Sequence, residues 1–368
     1  MYFLKSHSLL KEFENGLQWK QFLPSPERPV RNPVPTGAFV AVPQDGLALS
    51  ADYLTALYAE GRAFFGERDP KDVHLEGDSL ADLPTDLLRE MMLAISPGGK
   101  CHFGIDINPA RLVPGDVARY RSVGIDRFCL QLFAPCETLA DTVRRARALG
   151  AYVSVELRLD GFLEGRDLKN TVATLFEAAP SAVCLYDDRL GSLYDNAMLD
   201  QITLVAHDAG YAQRTAWLWA KQAAGFDRWA GRLSGRYAGL GPCATNCETR
   251  AFRINPAGGR WVSSRLAGEF LTYTAPQELR DWLALAEGLY ALRVTRDGLN
   301  ADMLTRAAAL ESMGIINERG RPNLARLMDF HHGVARYLTR VLDGRNQQIR
   351  LTAQQNTEAS GPAEAKLS

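Results

Sequence analysis

The first hundred of the 368 residues contain no cysteine. The six that exist, Cys101, Cys129, Cys136, Cys184, Cys243 and Cys247, are scattered without a paired framework. That pattern argues against a disulfide scaffold and suits a reducing compartment, where such thiols act as small buried hydrophobes. Cys243 and Cys247 stand closest together but lack the second pair of ligands that a structural zinc site requires. Long apolar runs are missing too. Nothing approaches the roughly 18 to 20 continuous apolar residues that span a bilayer, and Met1 to Gln18 has neither the basic start nor the apolar centre of a secretion signal. Nor is there an excess of one charge: 42 Lys and Arg against 43 Asp and Glu leave a net charge of -1, which draws the chain to neither nucleic acid nor an anionic membrane. The expectation is a cytoplasmic protein whose partner is a small molecule or another protein.

What is present is an alternation of strand-like and helix-like segments. Residues 1–36 end in Pro24, Pro26, Pro29, Pro33 and Pro35, and read as an extension able to sustain neither helix nor ladder. From Gly37 onward, short apolar runs at Phe39 to Val42, Val73 to Leu75, His102 to Ile107, Arg127 to Phe133, Tyr152 to Leu159 and Ala182 to Tyr186 predict six strands. Amphipathic stretches between them, such as Leu83 to Ile95, Pro114 to Val123 and Leu139 to Leu149, predict crossover helices. This repetition implies an α/β fold with a parallel sheet, a partial or closed barrel whose site lies at the carboxyl ends of the strands. The expected divisions are an extension over 1–36, a barrel with its connector over 37–255, a mainly helical or winged domain over 256–345, and a disordered tail over 346–368, which is rich in Gln, Ala and Ser.

In this order the segments resemble the oxygen-independent coproporphyrinogen III oxidase-like family of radical S-adenosylmethionine (SAM) proteins. Ala38-Phe39-Val40-Ala41-Val42-Pro43 is similar to the family's first strand, Leu-Tyr-Val-His-Ile-Pro. Val73-His74-Leu75-Glu76-Gly77-Asp78-Ser79 resembles the strand that leads into Gly-Gly-Gly-Thr-Pro, and Phe103-Gly104-Ile105-Asp106-Ile107-Asn108-Pro109 the third-strand motif. Val123 to Gln131, Val155-Glu156-Leu157, Cys184-Leu185-Tyr186 and Tyr237 to Ala244 have counterparts further on. The signal is their unbroken order over about residues 37–342. The resemblance implies a partial six-stranded barrel with a helical carboxyl-terminal domain. It also implies cofactor-binding positions at Phe39, Glu76, Gly77, Asp78, Asp106, Gln131 and Glu156, with Asp106, Gln131 and Glu156 matching positions that hold SAM.

Two departures bear on chemistry. Family members place Cys-x-x-x-Cys-x-x-Cys after the first-strand proline, and those thiolates hold the iron-sulfur cluster through which SAM is cleaved. Gln44 and Asp45 stand there instead. The loop after the fourth strand is also short, with Gln131 to Glu137 running almost directly into the helix at Leu139. No iron-sulfur cluster and no radical chemistry are therefore expected.

The remaining polar residues at strand ends are acidic: Glu76, Asp78, Asp106, Glu156, Asp160, Asp187 and Asp188, with Asn108 and Gln131 among them. Such a mouth suits SAM, a cationic metabolite or a divalent ion, to which His74 or His102 adds nitrogen. The plainer reading makes these carboxylates helix caps or solvated loop residues, and places both histidines at strand starts, away from the mouth. His331 and His332 are candidate axial ligands for haem, or packed helical residues; Trp217, Trp219, Trp229 and Trp261 read as core before they read as a ligand wall. Two functions stay open. The first is an accessory protein that binds SAM, haem or a porphyrin, alone or beside a partner enzyme. The alternative is a repurposed non-radical or metal-dependent enzyme. No metal-ligating residue is assigned.

Overall fold

The computed structural model describes residues 23–25, 35–43, 50–77, 80–113, 115–158, 165–186, 196–214, 218–221, 237–248, 251–270, 272–274 and 301–321. Gln44, Asp45, Asp78, Asp160, Asp187, Asp188, Trp217, Trp229, His331, His332 and the tail expected over 346–368 lie outside the described residues.

Among the described residues, ten strands and six helices come first along the chain. After β1 (Leu23–Ser25), β2 (Gly37–Ala41) leads to α1 (Ala51–Phe65), β3 (Asp72–Glu76) to α2 (Thr85–Ile95), and β4 (His102–Ile107) to α3 (Asp116–Ser122). Then β5 (Ile125–Leu132) leads to α4 (Leu139–Ala148), β6 (Tyr152–Arg158) to α5 (Gly165–Ala178), and β7 (Ala182–Tyr186) to α6 (Asn196–Asp208). The short strands β8 (Ala212–Gln213) and β9 (Leu218–Ala220) precede β10 (Tyr237–Leu240). All but β1 join one sheet in the order β10-β2-β3-β4-β5-β6-β7-β9-β8, parallel from β10 to β7 and antiparallel at the β9 and β8 end.

Because β2 to β7 are neighbours in chain order, right-handed crossovers put every intervening helix on the same face. The alternation along the strands obeys this. Val40, Val73, Leu75, Phe103, Ile105, Ile107, Phe128, Leu130, Val153, Val155, Leu157 and Val183 are buried in the core beneath the helices. The opposite set, Phe39, His74, Glu76, Gly104, Asp106, Cys129, Gln131, Ser154 and Glu156, faces the other way, since successive side chains of a strand point to opposite sides. Parallel sheets covered on both faces read as nearly continuous apolar runs. The polar alternation here marks the inner face of the sheet as the wall of a polar interior.

The first helix shows how local sequence sets the elements. Ser50 caps α1 by accepting a hydrogen bond from the Tyr53 amide at 3.1 Å, and Gly66, at a φ of 66°, ends it. The stripe Tyr53, Ala56, Leu57, Glu60, Gly61 and Phe64, at spacings of three and four, is buried. Glu60 is the exception in chemistry on that stripe.

A second, antiparallel sheet has the order β1-β13-β12-β11, with β11 (Thr245–Glu248), β12 (Ala251–Ile254) and β13 (Thr272–Thr274). It joins the extension to segments on both sides of the boundary expected at residue 255. The expectation that the proline-rich extension sustains no ladder is corrected here. Pro24 lies in β1, paired with Tyr273, and β1 is an edge strand, the position in a sheet where a residue without an amide hydrogen costs no ladder bond. Helix α7 (Gly258–Leu266) packs against α1, and α8 (Ala301–Ser312) completes the described helices. Among the described residues no helix is long and apolar enough to cross a membrane.

Candidate functional site

The carboxyl-terminal halves of β3, β4 and β5 bring together residues far apart in the chain. His74 is the central residue of β3, and only 1% of it is exposed. Its Nε2 lies 2.5 Å from Oδ1 of Asp106, the fifth residue of β4. The other carboxylate oxygen, Oδ2, accepts a hydrogen bond from the Gln131 side-chain amide of β5 at 2.8 Å. Glu76 ends β3, half-buried at the rim, and donor atoms of His74, Glu76 and Asp106 all lie within 4.8 Å of one another. Glu156, buried on β6, stands in register beside Gln131, which extends the polar row to a fourth strand.

The imidazole is placed by its surroundings. Phe39 of β2 is paired in register with His74, and the two rings meet edge to face at 6.0 Å between centroids. On the other side lies Gly104, opposite His74 on β4. A Cβ at position 104 would come within 2.2 Å of His74 Nδ1, so only glycine lets the ring lie against the β4 backbone. Gly77, following Glu76, has a φ of 154°, and a Cβ there would reach 2.6 Å from the Val42 carbonyl oxygen. The β3 strand thus turns away from the site tightly against the end of β2, in a conformation that glycine adopts at least cost.

Of the candidate cofactor-binding residues, Glu76, Asp106 and Gln131 meet in one cluster, with Glu156 next along the same row. Phe39 lies beneath it as a buried aromatic wall and Gly77 bounds it. Asp78 is outside the described residues. The expectation that both histidines begin strands and point away is corrected for His74: β3 starts at Asp72, so His74 falls on the inner parity together with Glu76. For His102 it holds, since that residue opens β4 at the opposite end and pairs with Asp126 at 2.6 Å in an exposed position. Asn108 proves to be a cap, its side chain accepting from the Ala110 amide at 2.9 Å.

A second buried polar assembly escaped the reading of the sequence. Glu60 of α1 and Arg265 of α7 form an ion pair in the core, and the Gly241 amide, the Asn255 side-chain amide and the Trp261 indole also donate to Glu60. The signal was available: both charges sit on otherwise apolar helical stripes and carry opposite signs. Trp261 is fully buried, as expected for core.

No family model matches the chain, and no curated protein matches it. A solved structure does. The chain is similar in fold to coproporphyrinogen III oxidase (HemN) from Escherichia coli, described as a radical SAM enzyme, with a TM-score of 0.58 and 14% sequence identity. The likeness covers 89% of this chain and 93% of that one. The two chains therefore share one α/β fold over nearly the whole length of each.

Proposed function

We propose that this protein is a cluster-less, non-radical relative of the radical SAM proteins that binds a small molecule at the carboxyl ends of its barrel strands. SAM and a tetrapyrrole are the ligands that the fold and the mouth chemistry suit, in an accessory role in tetrapyrrole metabolism. The observation that carries the reading is a contrast within one fold. Glu76, Asp106 and Gln131 are gathered in the mouth, with Glu156 beside them, whereas the segment after β2, in which the family keeps its cluster thiolates, contains Gln44 and Asp45 and no cysteine.

The carboxylates supply the electrostatics. An ammonium or sulfonium ligand entering the mouth exchanges water for charge-assisted hydrogen bonds, which are roughly twice as strong as neutral ones. Gln131 is already committed to Asp106 and holds that carboxylate in place. Glu156 presents a further acceptor along the row.

The test is anaerobic purification of the full chain, reconstitution with iron and sulfide, and calorimetric titration with SAM and with haem. The reading expects no four-iron electron paramagnetic resonance signal, saturable binding of SAM or haem by the wild type, and binding weakened by about 1 to 3 kcal/mol in Glu156→Ala. A reducible, near-stoichiometric cluster would restore radical chemistry and sink it. So would the binding of neither ligand.

A further inference from the structure

We propose that His74, Glu76 and Asp106 form a binding site for a divalent transition-metal ion, with Gln131 as its positioning residue. The proposal concerns protein side chains alone and does not depend on which organic ligand, if any, enters the mouth.

Among the described residues, this is the one place where three side chains able to ligate a metal come together. The donor set is one imidazole nitrogen and two carboxylates. Such a mixture suits zinc, manganese or ferrous iron better than calcium or magnesium, which take oxygen donors. Within the set, two carboxylates outweigh one imidazole, so a dication balances the charge on a buried wall. Metal-ligand bonds of about 2.1 Å separate neighbouring donors by about 3 Å and opposed donors by about 4.2 Å. All three donors lie within 4.8 Å of one another, and an ion entering among them displaces the proton shared by His74 Nε2 and Asp106 Oδ1 and opens their 2.5 Å contact to about 3 Å. Three protein donors also leave coordination positions open, as ligand-binding and catalytic metal sites do.

The surroundings are what such a site needs. Gln131 donates to Asp106 Oδ2 and leaves Oδ1 on the side of His74. Partners of this kind orient a ligating carboxylate and account for tenfold to hundredfold effects on metal affinity, on the order of magnitude seen at other sites. The ring of His74 is held between Phe39 and the bare backbone of Gly104. A mere structural ion pair has no need of a third, rim-placed carboxylate or of a glycine cradle at the imidazole. The order along the chain, two donors two residues apart on β3 and the third on the adjacent parallel strand, keeps all three on the inner face.

The experiment uses the full chain, stripped with a chelator, dialysed, and titrated separately with Mn2+ and Zn2+. Free manganese is followed by its aqueous paramagnetic signal, zinc by calorimetry, and the bound manganese is examined for electron spin echo modulation from an imidazole nitrogen. The expected result is about one ion per chain, with nitrogen modulation from His74. His74→Gln abolishes the modulation and weakens binding at least about tenfold, Glu76→Gln weakens it by a similar factor, and Gln131→Ala by about tenfold to hundredfold. Asp126→Asn, which disturbs the exposed His102 pair at the other end of the sheet, leaves binding unchanged. Thermal melts identify any variant that fails to fold; the rim position of Glu76 makes Glu76→Gln the variant that decides if His74→Gln unfolds. Retention of neither ion by the wild type, absence of nitrogen modulation from bound manganese, or undiminished binding in folded Glu76→Gln would each overturn the proposal.

Discussion

Glu60 and Arg265 stand 205 residues apart and meet at 2.7 Å, both about 1% exposed. The pair joins α1 to α7, and its hydrogen bonds extend to the Gly241 amide at 2.8 Å, the Asn255 side-chain amide at 3.0 Å and the Trp261 indole at 3.2 Å. Arg265 also stacks over Phe270 with 5.2 Å to the ring centroid. The turn after β10, which lies beside β2, is thereby tied to the helical layer.

Breaking this pair on one side leaves an uncompensated charge in the core. Arg265→Ala is expected to cost about 3 to 5 kcal/mol of folding stability. Replacing both residues, as in Glu60→Leu with Arg265→Leu, is expected to cost less than the sum of the single changes, because no lone charge remains. Denaturant titrations of the two single variants and the double variant form the cycle that measures this; strict additivity would show that the two charges are energetically independent.

At Gly104 the prediction is steric. Gly104→Ala places a methyl group within 2.2 Å of His74 Nδ1 and forces the ring or the β4 backbone to move. The expected loss is about 1 to 3 kcal/mol, the usual range for overpacking a filled site. A crystal structure of the variant should show His74 displaced from Asp106, and a melting temperature equal to wild type would mean that the cradle is looser than its geometry.

Alkaline pH should destabilise the fold through buried phenols and a thiol, Tyr53, Tyr120, Tyr211 and Cys101, of which Tyr53 and Cys101 show the argument. Burial first, and then the charge of Glu60, raises the Tyr53 hydroxyl above its ordinary value. Burial likewise pushes the Cys101 thiol up to about 12. The folded values lie above the unfolded ones, so the native state keeps protons that the unfolded chain releases. The associated stability is complete below the unfolded values, near 9 for the thiol and 10 for the phenol, and declines as pH rises past them toward the folded values. Denaturation midpoints between pH 8 and 11 should fall in the wild type and fall less steeply in Tyr53→Phe. At neutral pH that variant loses the hydrogen bond to the Ala41 carbonyl at 3.1 Å, worth about 0.5 to 1.5 kcal/mol.

The same shift governs thiol chemistry. A thiol held near 12 has little thiolate at pH 8, so Cys101 should react slowly with iodoacetamide, whereas the exposed Cys243 should react early. Mass spectrometry of timed digests gives the order. Labelling of Cys101 ahead of Cys243 would contradict both its burial and its raised pKa.

Much of the barrel could be read from the chain. The apolar runs from Phe39 to Tyr186 fall on β2 to β7, Leu139 begins α4 as expected, and Ser50 caps α1. These features are local: hydrophobic period, cap chemistry and turn residues act over a few positions and need no tertiary partner. Glu76, Asp106 and Gln131 were also legible as candidates, because each sits on the polar parity near the end of its strand.

What the sequence by itself determined is therefore the order of β2 to β7 with the helices between them, and the absence of cysteine from the segment after β2. The tertiary structure alone decided that His74 belongs with Asp106, that Glu60 is neutralised by Arg265, and that Pro24 joins an edge strand opposite Tyr273. Each of these depends on pairing across 32 residues or more, and the first also on strand register and on the bare backbone of Gly104 against the His74 ring. Register follows from the packing of the whole sheet: a shift by one residue would carry His74 to the helical side and leave its neighbour Leu75 facing Asp106.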